Sequence, residues 1–140
     1  MLIRGRGISK GSGTGRVLAS PEPISFLSGV DPESGMIVEK GHPLEGSLVA
    51  GRVLVFPHGK GSTVGSYIVY ALSRNGKAPA AMINLEAEPI IAVGAIIAGI
   101  PLVDRLEGGL SLVPDGALAR VDGGEGLVEI LGNEDPGETA

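Results

Sequence analysis

Apolar residues follow two different patterns along this chain, and the patterns predict its secondary structure. At both ends, short apolar runs are separated by stretches rich in glycine and proline, as in short strands joined by turns. The runs that predict strands here are residues 2–8, 16–19, 36–38, 111–113, 117–121 and 127–131. Residues 41–46 are predicted to be a loop, since Pro43 disfavours helix at the residue before it.

The middle of the chain predicts a βαβαβ unit. Apolar strands at 52–56, 80–83 and 102–103 alternate with two helical segments. The first helix, residues 63–74, is predicted to bury one stripe at helical spacing: Val64, Tyr67, Ile68, Ala71 and Leu72. The second helix begins at Pro89 and ends near Gly99; it is apolar nearly all round, so we expect it to be covered on both sides or to lie in an interface.

These elements predict one α/β domain with a mixed sheet. Connections of this length between the middle strands imply parallel pairing with right-handed crossovers. We assign residues 1–131 to a single domain and residues 132–140 to a flexible acidic tail.

Composition excludes several kinds of function. The net charge of −5 and the scarcity of aromatic residues argue against a nucleic-acid binder. The chain has no cysteine and two histidines, so we expect no disulfide and no metal site made by this chain alone. The longest apolar run, residues 89–100, is too short to span a bilayer, and the first residues lack the apolar core of a signal peptide. We therefore predict a cytoplasmic location.

Candidate chemistry lies in the loop after the first middle strand, where Gly59, Lys60, Gly61, Ser62 and Thr63 lead into a helix. Such a serine lies among backbone N–H groups at the positive end of a helix. It could cap the helix, help to bind an anion, or act as a base if its alkoxide is stabilised. The loop lacks the residues of a Walker phosphate site and of a dinucleotide fingerprint.

This loop resembles the Gly-Glu-Gly-Ser-Ser stretch in the swivelling domain of aconitase-type hydro-lyases. The chain as a whole, over roughly residues 2 to 131, is similar to the small subunit of the aconitase X family. Four further segments carry the resemblance by their order and spacing: residues 11–18, 23–32, 35–38 and 41–46.

The resemblance implies a swivelling β/β/α fold and a hydro-lyase that dehydrates a hydroxy acid. It implies that Ser62 is the catalytic base. It also implies a large partner subunit with a [4Fe–4S] cluster on three cysteines, whose Lewis-acid iron would take the substrate hydroxyl. The substrate stays open between 5-phosphomevalonate and the substrate of related dehydratases such as cis-3-hydroxyproline dehydratase.

One position departs from the aconitase pattern and leaves carboxylate binding unassigned. Val64 stands where aconitases have a substrate-binding arginine. Recognition must then come from the partner or from Arg16, Lys60 or other polar loop groups, although Lys60 could equally be a solvated loop lysine.

The remaining candidates have structural interpretations too. We favour a structural role for His42, for His58 beside the Ser62 loop, and for Asp31, which precedes a proline in a turn. Ser25 and Phe26, with Gly29 and Asp31, could form a substrate-facing lip or only a tight turn.

Two other classes of function compete with the hydro-lyase. One is a non-catalytic regulatory module whose glycine loop holds a phosphate. The other is a swivelling domain that carries a phosphohistidine, although His58, followed by Gly59 and Lys60, does not match the loop that this role needs.

Overall fold

The structure is a computed structural model that describes residues 1–132. The strands are β1 (Leu2–Arg4), β2 (Arg6–Ser9), β3 (Ser12–Ala19), β4 (Ile24–Ser25), β5 (Val53–Phe56), β6 (Gly59–Lys60), β7 (Ala81–Asn84), β8 (Leu102–Asp104), β9 (Leu118–Asp122) and β10 (Leu127–Gly132). The helices are α1 (Gly65–Arg74) and α2 (Pro89–Ala98). Gly132, predicted to start the tail, ends β10; the rest of that predicted tail, 133–140, lies outside the described residues.

The predicted mixed sheet and βαβαβ centre are confirmed. Eight strands lie in the order β1-β10-β9-β3-β5-β7-β8-β2. Strands β3, β5, β7 and β8 are parallel, and the other pairs in this sheet are antiparallel. A separate two-stranded parallel sheet joins β4 to β6. The chain therefore passes from the carboxyl end of β5 directly into β6, the strand that pairs with β4.

The sheet curls until its two edges approach each other. Strands β1 and β2 lie at opposite edges but are separated only by Gly5, whose N–H donates to the carbonyl oxygen of Gly126 at 2.7 Å. A Cβ on Gly5 would lie 2.6 Å from the carbonyl oxygen of Asp104. The prediction of one strand over 2–8 is therefore wrong, because the chain must cross from one edge to the other at this glycine.

Two apolar cores lie on the two faces of the sheet. One core, which includes Val17, Val53, Ile83, Val121 and Val128, fills the inside of the curled sheet. The other packs the opposite face against the helices and includes side chains from both of them, such as Leu72 and Ile91. The scarcity of aromatic residues is met by branched aliphatic side chains, and the one aromatic pair among residues 1–132 is Phe26 with Phe56.

The buried face of helix α1 overlaps the predicted stripe only in part, at Leu72 and the partly buried Ile68. Its buried residues are Gly65, Val69 and Leu72, whereas Tyr67 is 71% exposed. Contact with α2 sets this orientation: a Cβ on Gly94 would lie 3.1 Å from Cβ of Val69, so the two helices approach closely at that glycine. The predicted stripe was wrong at Val64 and Tyr67, because the neighbouring helix decides which face is covered.

Helix α2 agrees with its predicted bounds but is covered on one side only. Ile91, Gly94 and Ala95 are buried, while Val93, Ile96 and Ile97 are each about half exposed or more, at 48%, 58% and 60%. Within residues 1–132, neither helix has the length and apolar character needed to cross a membrane. The cytoplasmic location stays a prediction.

Two predicted strands take other forms. Residues 111–113 do not form a strand; Leu110–Leu112 is a 3-10 turn that lies against the inner core. Residues 36–38 make only isolated bridges, Met36 with Leu48 and Val30 with Ile37. Apolar runs of three residues do not distinguish a strand from a turn that buries its side chains.

Candidate active site at the Ser62 loop

The Ser62 loop is anchored on both sides before it reaches the serine. In the β4–β6 pair, Ile24 aligns with Gly59 and Ser25 with Lys60. The main-chain N–H of Ile24 also donates to the carbonyl oxygen of His58 at 3.3 Å. This short sheet positions Gly61 and Ser62 at the carboxyl end of β5, the edge where ligands bind in parallel α/β sheets.

Two glycines of the loop are required by its geometry. A Cβ on Gly59 would lie 2.5 Å from a side-chain carbon of Ile91 and 2.7 Å from Oε1 of Glu88. Gly61 has φ of +93°, and a Cβ there would lie 2.9 Å from Oγ of Ser25. Both positions therefore exclude other residues.

Ser62 is exposed, and its hydroxyl oxygen accepts a hydrogen bond from the N–H of Val64 at 3.1 Å. Helix α1 begins only at Gly65, its N-cap residue is Val64, and no side chain caps it. The N–H of Gly65 instead donates to the main-chain oxygen of Ser62 at 2.9 Å. Ser62 thus forms a local serine turn that leads directly into the helix, with its hydroxyl oxygen and its main-chain oxygen both accepting from the N–H groups that follow.

The serine turn places a hydroxyl oxygen against one backbone donor and near the positive end of α1. Of the N–H groups from Gly61 to Val64, only that of Val64 donates to Ser62 Oγ among the hydrogen bonds of the described residues. This geometry can stabilise negative charge on the oxygen. Thr63 contributes its carbonyl oxygen, which accepts a hydrogen bond from Ser66 Oγ at 3.0 Å.

Lys60 is not simply solvated. Its Nζ lies 2.9 Å from Oε2 of Glu39, and the two side chains are 44% and 28% exposed. Both line an open pocket of about 340 Å³ beside the serine, together with Ser25, Leu27, Ser28, Gly29 and Gly61. Sequence reasoning did not find Glu39, which lies 21 positions before Lys60.

Ser25 and Phe26 have different places in the loop that faces Lys60. Ser25 lines the pocket, and its Oγ donates to the carbonyl oxygen of Leu27 at 2.8 Å. Phe26 is 2% exposed and packs against Phe56 with ring centroids 6.0 Å apart. The Phe26 side chain therefore packs into the core beneath the loop, and it does not face the pocket where a substrate would bind.

The two histidines make hydrogen bonds to the loops. Nδ1 of the buried His42 accepts from the N–H of Leu44 at 3.0 Å, so Nε2 carries the proton and donates to the carbonyl oxygen of Pro23 at 3.1 Å. His58 is exposed, and its Nδ1 donates to the carbonyl oxygen of Gly59 at 2.7 Å. Both arrangements agree with structural roles.

Arg16 lies at the other end of the parallel sheet. It precedes Val17, which aligns with Val53 at the start of β5, and its guanidinium donates to the carbonyl oxygen of Gly116 at 3.3 Å. The Ser62 loop follows the opposite end of β5. The structure thus does not bring Arg16 to the candidate site.

Asp31 belongs to a turn. Its carboxylate accepts hydrogen bonds from Ser34 Oγ at 2.7 Å and from the N–H of Glu33 at 3.2 Å. These two bonds lower the pKa of Asp31 below its usual value. The turn interpretation accounts for this residue.

Comparison with known proteins agrees with this geometry. Residues 2–130 match the family described as Aconitase X swivel domain. The chain belongs to the aconitase X swivel domain family. The swivelling α/β architecture that the loop motifs implied is therefore confirmed.

Relatives in this family match nearly the whole chain. The phosphomevalonate dehydratase small subunit of Methanocella arvoryzae is 57% identical over 131 residues, which are 93% of this chain and 99% of that protein. The protein of the same name from Pyrococcus abyssi is 50% identical over 132 residues, 94% of this chain and 100% of that protein.

Solved structures of the family have the same fold. The crystal structure of Thermococcus kodakaraensis aconitase X in its holo-form has a TM-score of 0.89 and 50% identity, covering 94% of this chain and 98% of that one. A UPF0107 protein solved by NMR in solution has a TM-score of 0.86 and 45% identity, covering 94% of this chain and 99% of that one.

Proposed function

We propose that this chain is the small subunit of a phosphomevalonate dehydratase, a hydro-lyase that converts (R)-5-phosphomevalonate into trans-anhydromevalonate 5-phosphate in isoprenoid synthesis. The relatives of that name support the reaction class, since they align over almost their full length. The observation that carries the proposal is the exposed hydroxyl of Ser62, held by the Val64 N–H at the end of a parallel strand.

In this proposal Ser62 removes the proton from C2 of the substrate. A C–H next to a carboxylate is weakly acidic, and serine is a weak base, so the alkoxide must be stabilised before it can act. The N–H of Val64 already points at the oxygen, and the start of α1 lies next to it. Both interactions grow stronger as negative charge develops on Oγ.

Lys60 is the group of this chain that we assign to the substrate carboxylate. Only Gly61 separates it from Ser62, and its ammonium lines the adjoining pocket. The carbon that loses its proton carries the carboxylate, so a cation beside the base meets the charge that develops there. Lys60 thereby takes the place of the arginine that Val64 replaces.

The [4Fe–4S] cluster that the family implies does not fit this chain. The sequence has no cysteine, and residues 1–132 contain no group of three or more His, Asp or Glu side chains placed to hold a metal. We therefore assign the cluster to the large subunit. This chain contributes the base and the pocket wall around it.

The exposed apolar side of α2 supports an obligate partner. Val93, Ile96 and Ile97 are adjacent in the helix and uncovered. Tyr67 of α1 adds an exposed aromatic ring. Apolar exposure of this kind is typical of a subunit interface, and we propose that the large subunit covers it.

The test is turnover by the complex reconstituted with the large subunit, followed by alkene formation from 5-phosphomevalonate. We expect Ser62→Ala to lower kcat at least about 1,000-fold, as for loss of an essential base. Ser66→Ala is the matched control. Among the described residues, Ser66 Oγ bonds to the carbonyl oxygen of Thr63 alone, so this variant should retain a rate within about threefold of the wild type.

Two results would contradict the proposal. A near-normal rate for Ser62→Ala would rule out this serine as the base. If the wild-type complex dehydrates cis-3-hydroxyproline and not 5-phosphomevalonate, the proposed substrate is wrong, while the assignment of Ser62 as the base is unaffected.

A further inference from the structure

The Lys60 ammonium is held by a carboxylate from a distant loop. Glu39 Oε2 lies 2.9 Å from Nζ, and both side chains line the pocket beside Ser62. Lys60 itself lies on β6, which β4 fixes by main-chain pairing. The direction of the lysine side chain is then decided by what its far end contacts, and among residues 1–132 the ion-pair partner is Glu39.

Glu39 is itself firmly placed. The N–H of Val38 donates to the carbonyl oxygen of Gly29 at 2.9 Å, and the carbonyl oxygen of Glu39 accepts from the N–H of His42 at 3.2 Å. A Cβ on Gly29 would lie 3.2 Å from Glu39 Oε1 and 2.0 Å from the carbonyl oxygen of Ser25. A side chain at Gly29 would therefore clash with the main chain of the same loop at Ser25 and crowd the Glu39 carboxylate.

The backbone beside this carboxylate is strained. Ser28, which precedes Gly29 and lines the same pocket, has φ of +68°, a conformation that L-residues rarely adopt. Strain of this kind persists where the surrounding structure requires it, often at functional sites.

Stability does not account for the Lys60–Glu39 pair. An ion pair as exposed as this one contributes little to folding. Glu39 Oε1 is buried and accepts no hydrogen bond from the described residues, which is unfavourable for folding. A fully solvated pair would leave both carboxylate oxygens in water. The observed arrangement instead orients the lysine at some cost in folding free energy.

We infer that Glu39 is a positioning residue that holds the Lys60 ammonium toward the pocket beside Ser62, where it meets the carboxylate of the substrate. The inference rests on the proposed function. Glu39 acts through Lys60 and does not touch the reacting carbon. Without Glu39 the lysine keeps its charge but samples other directions, so the cation is no longer held where negative charge develops.

Steady-state kinetics of the reconstituted complex with 5-phosphomevalonate test this inference. We expect Glu39→Gln to lower kcat/KM by about 10- to 100-fold, the effect of losing a hydrogen bond to a charged group. Lys60→Met should lose at least as much. The double variant should match Lys60→Met within about twofold, because a residue that acts through Lys60 has no effect once Lys60 is gone.

Two further variants separate positioning from a general structural effect. Glu39→Asp keeps the carboxylate and should recover most of the lost kcat/KM, which also keeps the test open if the glutamine variant is unstable. Glu129→Gln removes another exposed ion pair, with Arg120 at 3.1 Å between β9 and β10, and should match the wild type within about twofold.

The outcomes distinguish the inference from the function on which it rests. If the wild-type complex dehydrates 5-phosphomevalonate and Glu39→Gln behaves like Glu129→Gln, the inference alone is overturned. Multiplying losses in the double variant would also overturn it, since Glu39 would then act independently of Lys60. If the wild-type complex does not dehydrate 5-phosphomevalonate, the proposed function is wrong and the inference falls with it.

Discussion

The two helices have equal lengths and pack against each other, but their first turns are built differently. Helix α2 starts with a side-chain cap: the carboxylate of Glu88 accepts from the N–H groups of Ile90 and Ile91 at 2.9 and 2.8 Å. Pro89 follows in the first turn, and Gly99 ends the helix in the left-handed conformation with φ of +72°. This helix is closed at both ends.

Helix α1 is different, since the side chain of its N-cap residue, Val64, accepts no capping hydrogen bond within residues 1–132. The N–H of its N-cap residue, Val64, donates to the hydroxyl oxygen of Ser62, which is itself exposed. A carboxylate cap like Glu88 would place a fixed negative charge where the proposed alkoxide must form. The comparison indicates that α2 starts in a way that stabilises the fold, whereas the start of α1 leaves its positive end available to a reacting oxygen.

The first test of this comparison removes the Val64 N–H, which donates to the hydroxyl oxygen of Ser62. Val64 has φ of −61°, which proline adopts, so Val64→Pro deletes the N–H. Proline also disfavours a helical conformation at Thr63, so the variant is compared with the wild type in thermal unfolding as well as in activity. We expect kcat of the reconstituted complex to fall about 100-fold, as for loss of one oxyanion donor. Circular dichroism should show an unchanged helix content.

Val64→Ala is the matched control for this prediction. It keeps the N–H and removes only a side chain that is 43% exposed, so the rate should stay within about threefold of the wild type. Equal rates for the proline and alanine variants would mean that the Val64 N–H does not stabilise the reacting oxygen.

A second prediction concerns the segment that leads into α2. The buried Asp104 accepts from the N–H of Ala87 at 2.7 Å and pairs with Arg6, whose Nη2 lies 2.7 Å from Oδ2. Asp104→Asn should lower the free energy of unfolding by about 2 kcal/mol at pH 7, the usual cost of losing a charged hydrogen bond. Urea unfolding of the full chain measures this.

The stability difference between the wild type and Asp104→Asn should also depend on pH. Burial alone raises the pKa of Asp104, but the hydrogen bonds from Arg6 and Ala87 outweigh it, so its pKa lies below the usual 3.8. The ionised carboxylate therefore stabilises the fold above about pH 4, and this contribution is lost as the pH falls through the lowered pKa. The gap between wild type and Asp104→Asn should narrow below pH 4; a gap that widens in acid would contradict the assignment.

Local sequence features predicted the part of the fold that local features determine. The bounds of α2 follow from Pro89 and Gly99, and the buried strands of the centre follow from short apolar runs between breakers. The family resemblance came from the order of the loop motifs. None of these depends on which distant segments meet.

Features that depend on distant contacts were missed. Glu39 has no motif of its own and becomes part of the site only because the loop at Gly29 brings it to Lys60. The distance between Arg16 and the Ser62 loop was not predictable either, because the sequence does not say which end of the sheet a strand residue occupies. Ser62 was singled out from its loop, and its role as the base stays a prediction; the turn between it and Gly65 has no distinct sequence pattern.

The smallest expected effect tests the cap of α2 itself. Glu88→Ala should lower the free energy of unfolding by about 1 kcal/mol, the usual value for loss of an N-cap. Glu88→Gln, which keeps a side-chain oxygen for one N–H, should lose less. Thermal unfolding of the full chain gives both values.

Activity then decides whether the two helix starts are separate in function. Glu88 Oε1 lies close to the position that a Cβ on Gly59 would take, so the cap also borders the Ser62 loop. We expect kcat of the Glu88→Ala complex to stay within about threefold, because Gly59 is held independently by its pairing with Ile24. A large loss of kcat with unchanged stability would contradict the comparison of the two helices, because the start of α2 would then serve the reaction and not the fold.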